Sequence, residues 1–231
     1  MELSTALRTT GAVRDFRSDP VPDEVVIRLL DQARFAPSGG NRQGWRVILV
    51  KEAATRRALR DLYLPGWYEY LAQRQAGLTP WAPVTDLDAE ARAVAGAGQM
   101  AEAAAAGPGG FAEHLDTAPV VLVVLADLRA LAAVDRDLDR YGLAGGASVY
   151  PFVWSLLLAA RDERLGGVMT TMVIRREAEV KALLGVPESF AVAALVALGY
   201  PVSEFQRLRR APISEFATVD RFAGPALDAT T

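Results

Sequence analysis

The sequence has 231 residues, 51% of them hydrophobic and 23% charged, with no cysteine and one histidine, His114. A chain without thiols cannot form disulfides, cysteine-ligated metal centres or a cysteine nucleophile, and one histidine cannot build a multi-histidine metal site. The net charge of −3 is spread along the chain and provides no basic field for nucleic acid. These counts favour an enzyme whose chemistry is supplied by a cofactor.

The length suits one domain, and we expect residues 1–231 to form a single one. The longest apolar runs, residues 119–126 and 191–198, are far shorter than the roughly 20 residues that span a bilayer. The N-terminal segment MELSTALRTTG has no apolar signal core. We therefore predict a cytoplasmic protein that does not enter a membrane.

The first predicted element is an amphipathic helix that begins after Pro22, with apolar residues at helical spacing as far as Ala33. It should end before Pro37, because proline disfavours the helical conformation of the residue before it. Residues 37–41 then form a compact turn sequence, PSGGN. The pattern next predicts a strand over residues 45–51 and a helix over residues 53–63.

Residues 66–110 show the least regular pattern, and three interpretations stay open for them: a lid, an excursion that covers a substrate, or a partly mobile connection. Within this segment an Ala-rich stretch predicts a helix over about 87–106. Its aromatic residues are candidates for the cover, although ordinary packing would account for them equally. They are Trp67, Tyr68, Tyr70 and Trp81.

The second half of the chain alternates apolar strands with helices. The segment from Ser148 to residue 161 is apolar on every side, which predicts a helix buried all round, with Ser148 as its N-cap. The remaining predicted elements are strands over residues 119–126, 167–174 and 190–199 and a helix over residues 176–184.

Three polar patterns have ordinary explanations. Asp135, Asp137 and Asp139 have the spacing of a calcium loop but lack its glycine, and we interpret them as a solvated charge run. The stretch GAGQMA at residues 96–101 fits a dinucleotide fingerprint, but no strand precedes it. His114 is interpreted as a surface histidine rather than a general base.

Three other features point to a ligand. Arg14 lies ahead of the first amphipathic helix, and residues 36–43, APSGGNRQ, combine small residues with side chains that form hydrogen bonds. Near the C-terminus, Arg207, Arg209 and Arg210 precede Pro212, and arginine is well shaped for bidentate phosphate binding. Each feature alone has a structural explanation as good as the functional one.

The order of these features along the chain resembles the motif order of the nitroreductase family of flavoproteins. The N-terminal similarity runs through RDF at residues 14–16, PVPDE at 20–24 and APSGGNRQGW at 36–45. The C-terminal similarity comprises LLLAAR at 156–161, LGGVMTT at 165–171, LGVP at 184–187 and ALGYP at 197–201. The resemblance implies an α+β fold with a mixed central sheet flanked by helices, in an intertwined homodimer that binds two FMN at the subunit interface.

The resemblance also implies roles for individual residues. Arg14 would reach the pyrimidine edge of the flavin and stabilise the negative charge of its reduced form. Pro37 and Ser38, with Asn41 and Gln43, would contact the flavin of the other subunit. Arg210, with Arg207 or Arg209 in support, would hold the phosphate. Near N5 and O4 of the ring would lie Gly166, Gly167, Met169, Thr170 and Thr171.

One departure from the family pattern affects the cofactor site. The family usually carries an arginine, then Arg or His, then a small residue, where this chain has Thr10-Gly11-Ala12. One phosphate or ribityl contact is therefore missing, or is replaced by Arg8 or by the C-terminal arginines. Without such a replacement, FMN binding would be weaker or the ligand would be a different one.

The implied activity is that of an FMN-dependent oxidoreductase. Such an enzyme takes a hydride from NADH or NADPH and passes electrons to a small electron-poor acceptor, of nitroaromatic or quinone type, in a ping-pong cycle. No protein acid or base is required, so no catalytic side chain is assigned. Two alternatives stay open: a flavin-binding protein for storage or regulation, and a flavoenzyme specific to one metabolite, for example in dehalogenation or azoline oxidation.

Overall fold

The structure, a computed structural model, describes residues 1–227, so the last four residues of the predicted domain lie outside it. The helices are α1 (Leu3–Thr9), α2 (Asp23–Ala33), α3 (Ala53–Gln75), α4 (Leu87–Val94), α5 (Ala97–Ala105), α6 (Tyr150–Asp162) and α7 (Glu177–Leu184). The strands are β1 (Trp45–Leu49), β2 (Val120–Asp127), β3 (Gly166–Thr170) and β4 (Phe190–Gly199).

These strands form one sheet in the order β1-β2-β4-β3, and each neighbouring pair is antiparallel. The N-terminal segment adds a parallel bridge between Ala12 and Gly167. The inner strands β2 and β4 are almost entirely buried, as their continuous apolar sequences predict. The predicted α+β class is confirmed.

Helices cover both faces of the sheet. Residues 120, 122, 124 and 126 of β2 pack in a core with α2 and α6, whereas residues 121, 123 and 125 pack in a second core with α3 and α7. Successive side chains of a strand point to opposite faces, so one apolar strand serves both cores. The sheet therefore provides a rigid frame whose edges and ends remain available for a site.

Helix α3 ends at Gln75 rather than at residue 63, although it contains Pro65. Proline normally breaks a helix, because it lacks the amide hydrogen and clashes with the preceding turn. Here packing beyond the proline outweighs that cost. A Cβ on Gly66 would lie 2.9 Å from the Met172 carbonyl oxygen, so α3 approaches the following segment closely. The predicted excursion therefore begins as a continuation of α3.

The rest of residues 66–110 contains two short helices instead of the single one predicted over about 87–106. Helix α4 begins after Asp86, whose carboxylate accepts a hydrogen bond from the Ala89 amide at 3.0 Å. The helix is interrupted between α4 and α5 at Gly96. After proline, glycine is the residue that least favours a helix. That this segment covers a substrate stays a prediction.

Strand β3 ends at Thr170, four residues before the predicted end at 174. Its β-branched sequence favours a strand, but Met172–Arg176 forms a 3-10 helix that packs against α3. The contact with α3, which the sequence does not reveal, decides the backbone here. Thr171 therefore lies at the corner between the sheet and α3.

Helix α6 begins at Tyr150, and Ser148 does not cap it. The Ser148 hydroxyl instead accepts a hydrogen bond from the Gly39 amide at 3.0 Å, which ties the loop before β1 to the start of α6. The prediction that α6 is buried all round does not hold within one chain, because Tyr150 and Trp154 are each 40% exposed. These two residues are four apart and form an apolar stripe on the surface.

The interpretation of Asp135 as part of a solvated charge run was wrong, because Asp135 is only 4% exposed. Its carboxylate accepts hydrogen bonds from the Leu143 amide at 2.6 Å and from Arg140 Nη1 at 2.9 Å. The backbone hydrogen bond from Leu143 is the main cause that lowers the pKa of Asp135 to about 2. Asp135 therefore closes the loop between β2 and α6.

Candidate functional site

Four of the predicted site residues line one cavity of about 580 Å³, which we call the Arg14 cavity. The four are Arg14, Met169, Thr170 and Thr171. The other lining residues come from α3 and from the segment after β3. They are Tyr63, Trp67, Tyr70, Leu71, Arg74 and Met172.

Arg14 is positioned by backbone contacts on both sides of it. The Val13 amide donates a hydrogen bond to the Gly167 carbonyl at 2.9 Å, and Phe16 forms a bridge with Pro201. The Arg14 side chain is exposed, and it forms no ion pair with a carboxylate of residues 1–227. An unpaired guanidinium at a cavity suits an anionic or hydrogen-bond-accepting ligand.

Met169 lies on the open edge of β3 in the same cavity. β3 pairs with β4 on one side, and the Gly167 carbonyl, which accepts from Val13, points to the other side. Alternate residues of a strand direct their amides and carbonyls to the same side, so the Met169 amide also points away from β4. No strand in the described part of the chain pairs with it there. This amide is a backbone donor available to a ligand.

Thr170 Oγ1 donates a hydrogen bond to the Tyr63 hydroxyl oxygen at 3.2 Å. Burial raises the pKa of Tyr63, and this effect exceeds the lowering by the Thr170 hydrogen bond and by the charge of Arg14. The phenol therefore stays protonated at neutral pH and serves as a donor in the cavity wall. Sequence analysis missed Tyr63, whose only signal is its helical spacing from Trp67.

The structure explains Gly166 and Gly167 by packing within the chain. Both residues are buried, and a Cβ on Gly166 would lie 2.6 Å from a methyl group of Val13. A Cβ on Gly167 would lie 2.3 Å from Leu198 Cδ2. These glycines permit the N-terminal segment and β4 to approach β3, and their contact with a cofactor stays a prediction.

A second group of predicted site residues, Pro37, Ser38, Asn41 and Gln43, lies in the loop between α2 and β1. The Ser38 hydroxyl accepts a hydrogen bond from the Gln43 amide at 3.0 Å, and Gln43 Nε2 donates to Asn41 Oδ1 at 3.3 Å. Asn41 and Gln43 have φ of 53° and 50°, in the left-handed region that favours glycine. Hydrogen bonds within the loop thus hold a strained backbone at the surface. Strained backbone of this kind is common at functional sites.

One chain does not bring the loop to the Arg14 cavity. The loop enters β1 beside Ala126 of β2, which faces Ala191 of β4, whereas the cavity is lined by Met169 of β3, which faces Val196 of β4. From position 191 to 196 the strand runs about 17 Å, and the three strand spacings between β1 and β3 add about 14 Å across the sheet. Within one chain the two groups therefore do not form a single site.

The C-terminal arginines lie on the exposed segment after β4. In that segment the Leu208 amide donates a hydrogen bond to the Arg8 carbonyl at 2.9 Å, so the segment runs beside the end of α1. Arg207 and Arg210 are not among the residues that line the Arg14 cavity. The structure thus places the arginine-rich segment next to Arg8. Arg8 is one of the residues named above as a replacement for the missing phosphate or ribityl contact.

Gly11, the departure from the family pattern, lies under the ring of Phe205. A Cβ at this position would be 2.6 Å from Phe205 Cδ2 and 3.1 Å from Leu208 Cδ2. An arginine here would displace the C-terminal segment. Gly11 and Phe205 are a complementary pair that sequence analysis missed, because the two residues lie far apart in the chain.

His114 lines a second cavity, also of about 580 Å³, which shares Arg14 and Trp67 with the Arg14 cavity. The side chain is exposed, and its Nε2 lies 2.8 Å from the Pro108 carbonyl oxygen. His114 is therefore a surface histidine bonded to its own chain, as interpreted from the sequence. Its position beside Arg14 was not foreseen.

A third cavity, of about 470 Å³, shares Thr171 and Met172 with the Arg14 cavity. Trp81 lines it, and the Arg175 guanidinium lies 5.3 Å from the centre of that ring while it pairs with Glu69 at 3.1 Å. Trp67, Tyr70 and Trp81 thus all line cavities that adjoin one another. They also pack on one another, with Trp67 to Tyr70 at 5.3 Å and Tyr70 to Trp81 at 6.4 Å between ring centroids, and a role in covering a substrate stays a prediction.

Two other kinds of site are absent from residues 1–227. No group of three or more acidic, histidine or cysteine residues is placed to hold a metal ion there. None of the helices in this range combines the length and the apolar character needed to cross a bilayer. The Arg14 cavity and the loop at residues 37–43 hold most of the predicted site residues and are the candidate site.

The sequence profile of the Nitroreductase family matches residues 7–200, from α1 through β4 to Tyr200. The chain belongs to the nitroreductase family. This nitroreductase-family protein carries its C-terminal arginines beyond the matched region, so the profile does not bear on Arg207 or Arg210.

Individual relatives agree with the assignment. The chain is 30% identical to a protein named NADH dehydrogenase from Thermus thermophilus, over 92% of this chain and 93% of that protein. A BluB-like flavoprotein from Clostridium difficile 630 shares the fold with a TM-score of 0.67 at 19% identity, covering 96% and 100% of the two chains. Iodotyrosine deiodinase, solved with FMN and 3-iodo-L-tyrosine, shares it with a TM-score of 0.62 at 22% identity, covering 92% and 96%.

Proposed function

We propose that this nitroreductase-family protein binds FMN and uses NADH or NADPH to reduce a small electron-poor acceptor of the nitroaromatic or quinone type. The observation that carries the proposal is the Arg14 cavity, where a guanidinium, the open Met169 amide and two threonine residues converge. Relatives named NADH dehydrogenase and a deiodinase solved with FMN support it.

The residues of the cavity suit the edge of a flavin ring. A flavin presents carbonyl oxygens and ring nitrogens along that edge, and Arg14 and the Met169 amide offer hydrogen-bond donors to them. When bound, FMN would supply the two-electron chemistry of the reaction. The donor set and the cofactor therefore match.

Each side chain at the cavity has a role that does not require proton transfer. Arg14 stabilises negative charge at the pyrimidine edge as the cofactor is reduced. Tyr63, which stays protonated, fixes Thr170 through their hydrogen bond. Trp67 and Tyr70 offer an apolar wall against which an acceptor packs and from which water is excluded.

The complete site is proposed to lie between two subunits of a homodimer. The separation of the loop at residues 37–43 from the Arg14 cavity supports this, since Pro37, Ser38, Asn41 and Gln43 reach a flavin only from a second copy. The exposed apolar stripe of Tyr150 and Trp154 on α6 provides a surface for that copy. Burial of such a stripe is what a stable dimer interface requires.

The phosphate of FMN is proposed to bind Arg210, with Arg207, Arg209 or Arg8 in support. The hydrogen bond between Leu208 and Arg8 supports this arrangement, because it brings the C-terminal arginines beside α1. Arg8 then serves in place of the arginine that the family usually carries near position 11. Because guanidinium groups bind phosphate with charge-assisted hydrogen bonds, this cluster compensates for the missing family arginine.

Steady-state kinetics with FMN-loaded protein test the proposal. With NADPH or NADH as donor and a nitroaromatic or a quinone as acceptor, double-reciprocal plots at several acceptor concentrations should give parallel lines, as in a ping-pong cycle. A flavin that is bound but is not reduced by either nucleotide would instead support the alternative of a storage or regulatory protein.

A second candidate within the same family is a flavoenzyme specific to one metabolite. The structural similarity to a deiodinase solved with its amino-acid ligand favours this candidate. The two candidates differ in selectivity. A general reductase turns over many nitroaromatics and quinones at similar rates, whereas a specific enzyme turns over one compound far faster than its analogues.

A further inference from the structure

We propose that Arg74 makes the Arg14 cavity selective for flat aromatic acids, by binding the carboxylate of an acceptor whose ring packs across the edges of Trp67 and Tyr70. The inference rests on the proposed function, because it names the acceptor class of that site. It follows from the shape of the cavity wall and from the charges that line it.

The wall of the cavity is a row of stacked rings on one face of α3. Trp67 lies between Tyr63 and Tyr70, with centroid distances of 6.4 Å and 5.3 Å and interplanar angles of 27° and 13°. Residues 63, 67 and 70 share a helix face because they are four and three positions apart. Because the rings of this row face one another, they turn their edges to a ligand, and a planar ring can lie across those edges in edge-to-face contacts.

The cavity carries positive charge that the described part of the chain does not neutralise. Arg14 and Arg74 both line it, and no aspartate or glutamate is among the lining residues. Arg74 Nη1 donates a long hydrogen bond of 3.4 Å to the Tyr70 hydroxyl, which holds the guanidinium beside the stacked rings. In the adjoining third cavity, by contrast, Arg175 is paired with Glu69 at 3.1 Å.

These observations together select an anionic aromatic ligand. In the proposed function Arg14 contacts the flavin. Arg74 is then the cation of this cavity that is available to an anionic group of the substrate. Its planar fork binds a carboxylate with two parallel hydrogen bonds. A phosphate of the dinucleotide donor has similar chemistry, and it enters the same site in a ping-pong cycle. The test must therefore separate an acid on the acceptor from a phosphate on the donor.

The first measurement is equilibrium binding, which needs no turnover. Isothermal titration calorimetry on FMN-supplied protein compares 2-naphthoate with 2-naphthamide, which have the same ring and differ in charge. We expect the acid to bind about fivefold tighter, the size of an ion pair partly open to solvent. The preference should shrink as salt is added. Equal affinity for the two compounds in the unmodified protein would overturn the proposal.

Variants assign the preference to one residue. Arg74→Gln should bind the acid and the amide equally, whereas Arg74→Lys, which keeps the charge, should retain part of the preference. Arg57→Gln is the matched control, because Arg57 is also an exposed arginine of α3 but does not line the cavity. A preference that survives in Arg74→Gln, or that disappears in Arg57→Gln, contradicts the role of Arg74.

The second measurement is turnover of 4-nitrobenzoate and 4-nitrobenzamide with NADH or with NADPH. Arg74→Gln should raise the KM for the acid about fivefold and leave the KM of the amide and both donors unchanged. A rise in the KM for NADH or NADPH without a rise in the KM for the acid would show that Arg74 binds a phosphate of the donor, and would overturn the inference. Equal KM values for the acid and the amide in the unmodified protein would contradict this inference but leave the proposed function intact. A protein that binds no FMN would contradict the proposed function itself.

Discussion

Two pairs of arginine residues in this protein differ in their partners. Arg28 donates to Glu163 at 2.8 Å and Arg161 to Glu204 at 2.8 Å, so these side chains fasten parts of the chain together. Arg14 and Arg74 line a cavity and make no ion pair among the described residues. The sequence identified Arg14 through its motif, but Arg74 has no motif, and only the fold brings it beside the stacked rings.

The proposed phosphate contact leads to a prediction for Arg210. Replacing a charged hydrogen-bond donor by alanine removes about 1.5–3 kcal/mol of binding free energy, so Arg210→Ala should weaken FMN binding about tenfold or more. Fluorescence titration of FMN with the purified variant measures the change. Arg92→Ala, at an exposed arginine of α4, serves as the control and should leave the affinity unaltered. Unchanged FMN affinity in Arg210→Ala would mean that the phosphate lies elsewhere.

At the scale of elements, the periodicity and the apolar runs of the sequence were enough to predict helices and strands where packing is regular. They predicted α2, β1, β2 and β4 closely, because these elements either bury one face or are buried entirely. They failed for α3 and for the end of β3, where the mutual contact of the two segments overrides proline and β-branched residues. Those segments line the Arg14 cavity, so local propensity was least informative at the site itself.

The tight contact of β3 with β4 predicts that Gly167→Ala is strongly destabilising. The new methyl group would meet Leu198 Cδ2 at 2.3 Å and the Ala197 carbonyl at 3.0 Å, and overpacking of this kind costs about 1–3 kcal/mol of the free energy of unfolding. Urea unfolding followed by circular dichroism measures the loss. Gly98→Ala in α5, where the methyl group meets nothing within 4 Å, should instead stabilise by about 0.5–1 kcal/mol. Equal effects of the two changes would contradict the packing.

The loop between β2 and α6 should depend on pH through Asp135. Its pKa is lowered to about 2 in the folded state, chiefly by the Leu143 amide, so the ionised carboxylate stabilises the fold above the unfolded-state pKa near 4. This contribution is lost as the pH falls from about 4 to about 2. Asp135→Asn should therefore be less stable than the unmodified protein at neutral pH, and the difference should shrink below pH 4.

Thermal unfolding at a series of pH values measures this dependence on Asp135. Asp137→Asn is the matched control, because the Asp137 side chain is 85% exposed and should contribute little at any pH. A destabilisation by Asp135→Asn that stays constant down to pH 2 would show that the carboxylate charge is not what holds the loop.

At the scale of the whole molecule, one chain contains two separated halves of a proposed site. The family resemblance predicted that residues 37–43 serve the other subunit, and the sheet geometry explains why they cannot serve their own. The sequence alone does not reveal this, since no local pattern gives the distance between two ends of a sheet. The pairing of Gly11 with Phe205 likewise depends on how the C-terminal segment returns to α1.

The proposed dimer predicts that Trp154→Asp disrupts assembly. A charge in the exposed apolar stripe on α6 would be buried without a partner in the dimer, which is costly. Size-exclusion chromatography with light scattering should show a dimer for the unmodified protein and for Trp154→Phe, and a monomer for Trp154→Asp. The monomer should also lose FMN affinity, because half of each site is removed. An unmodified protein that is monomeric yet binds FMN would exclude the shared site.

The central claim is that this fold binds FMN and exchanges electrons with a nicotinamide donor. The most direct measurement is the visible absorbance spectrum of the protein after it has been supplied with FMN, gel-filtered, and mixed anaerobically with NADPH or NADH. The account predicts that flavin absorbance travels with the protein and that at least one nucleotide bleaches it rapidly. A colourless protein, or a bound flavin that neither nucleotide reduces, would contradict it.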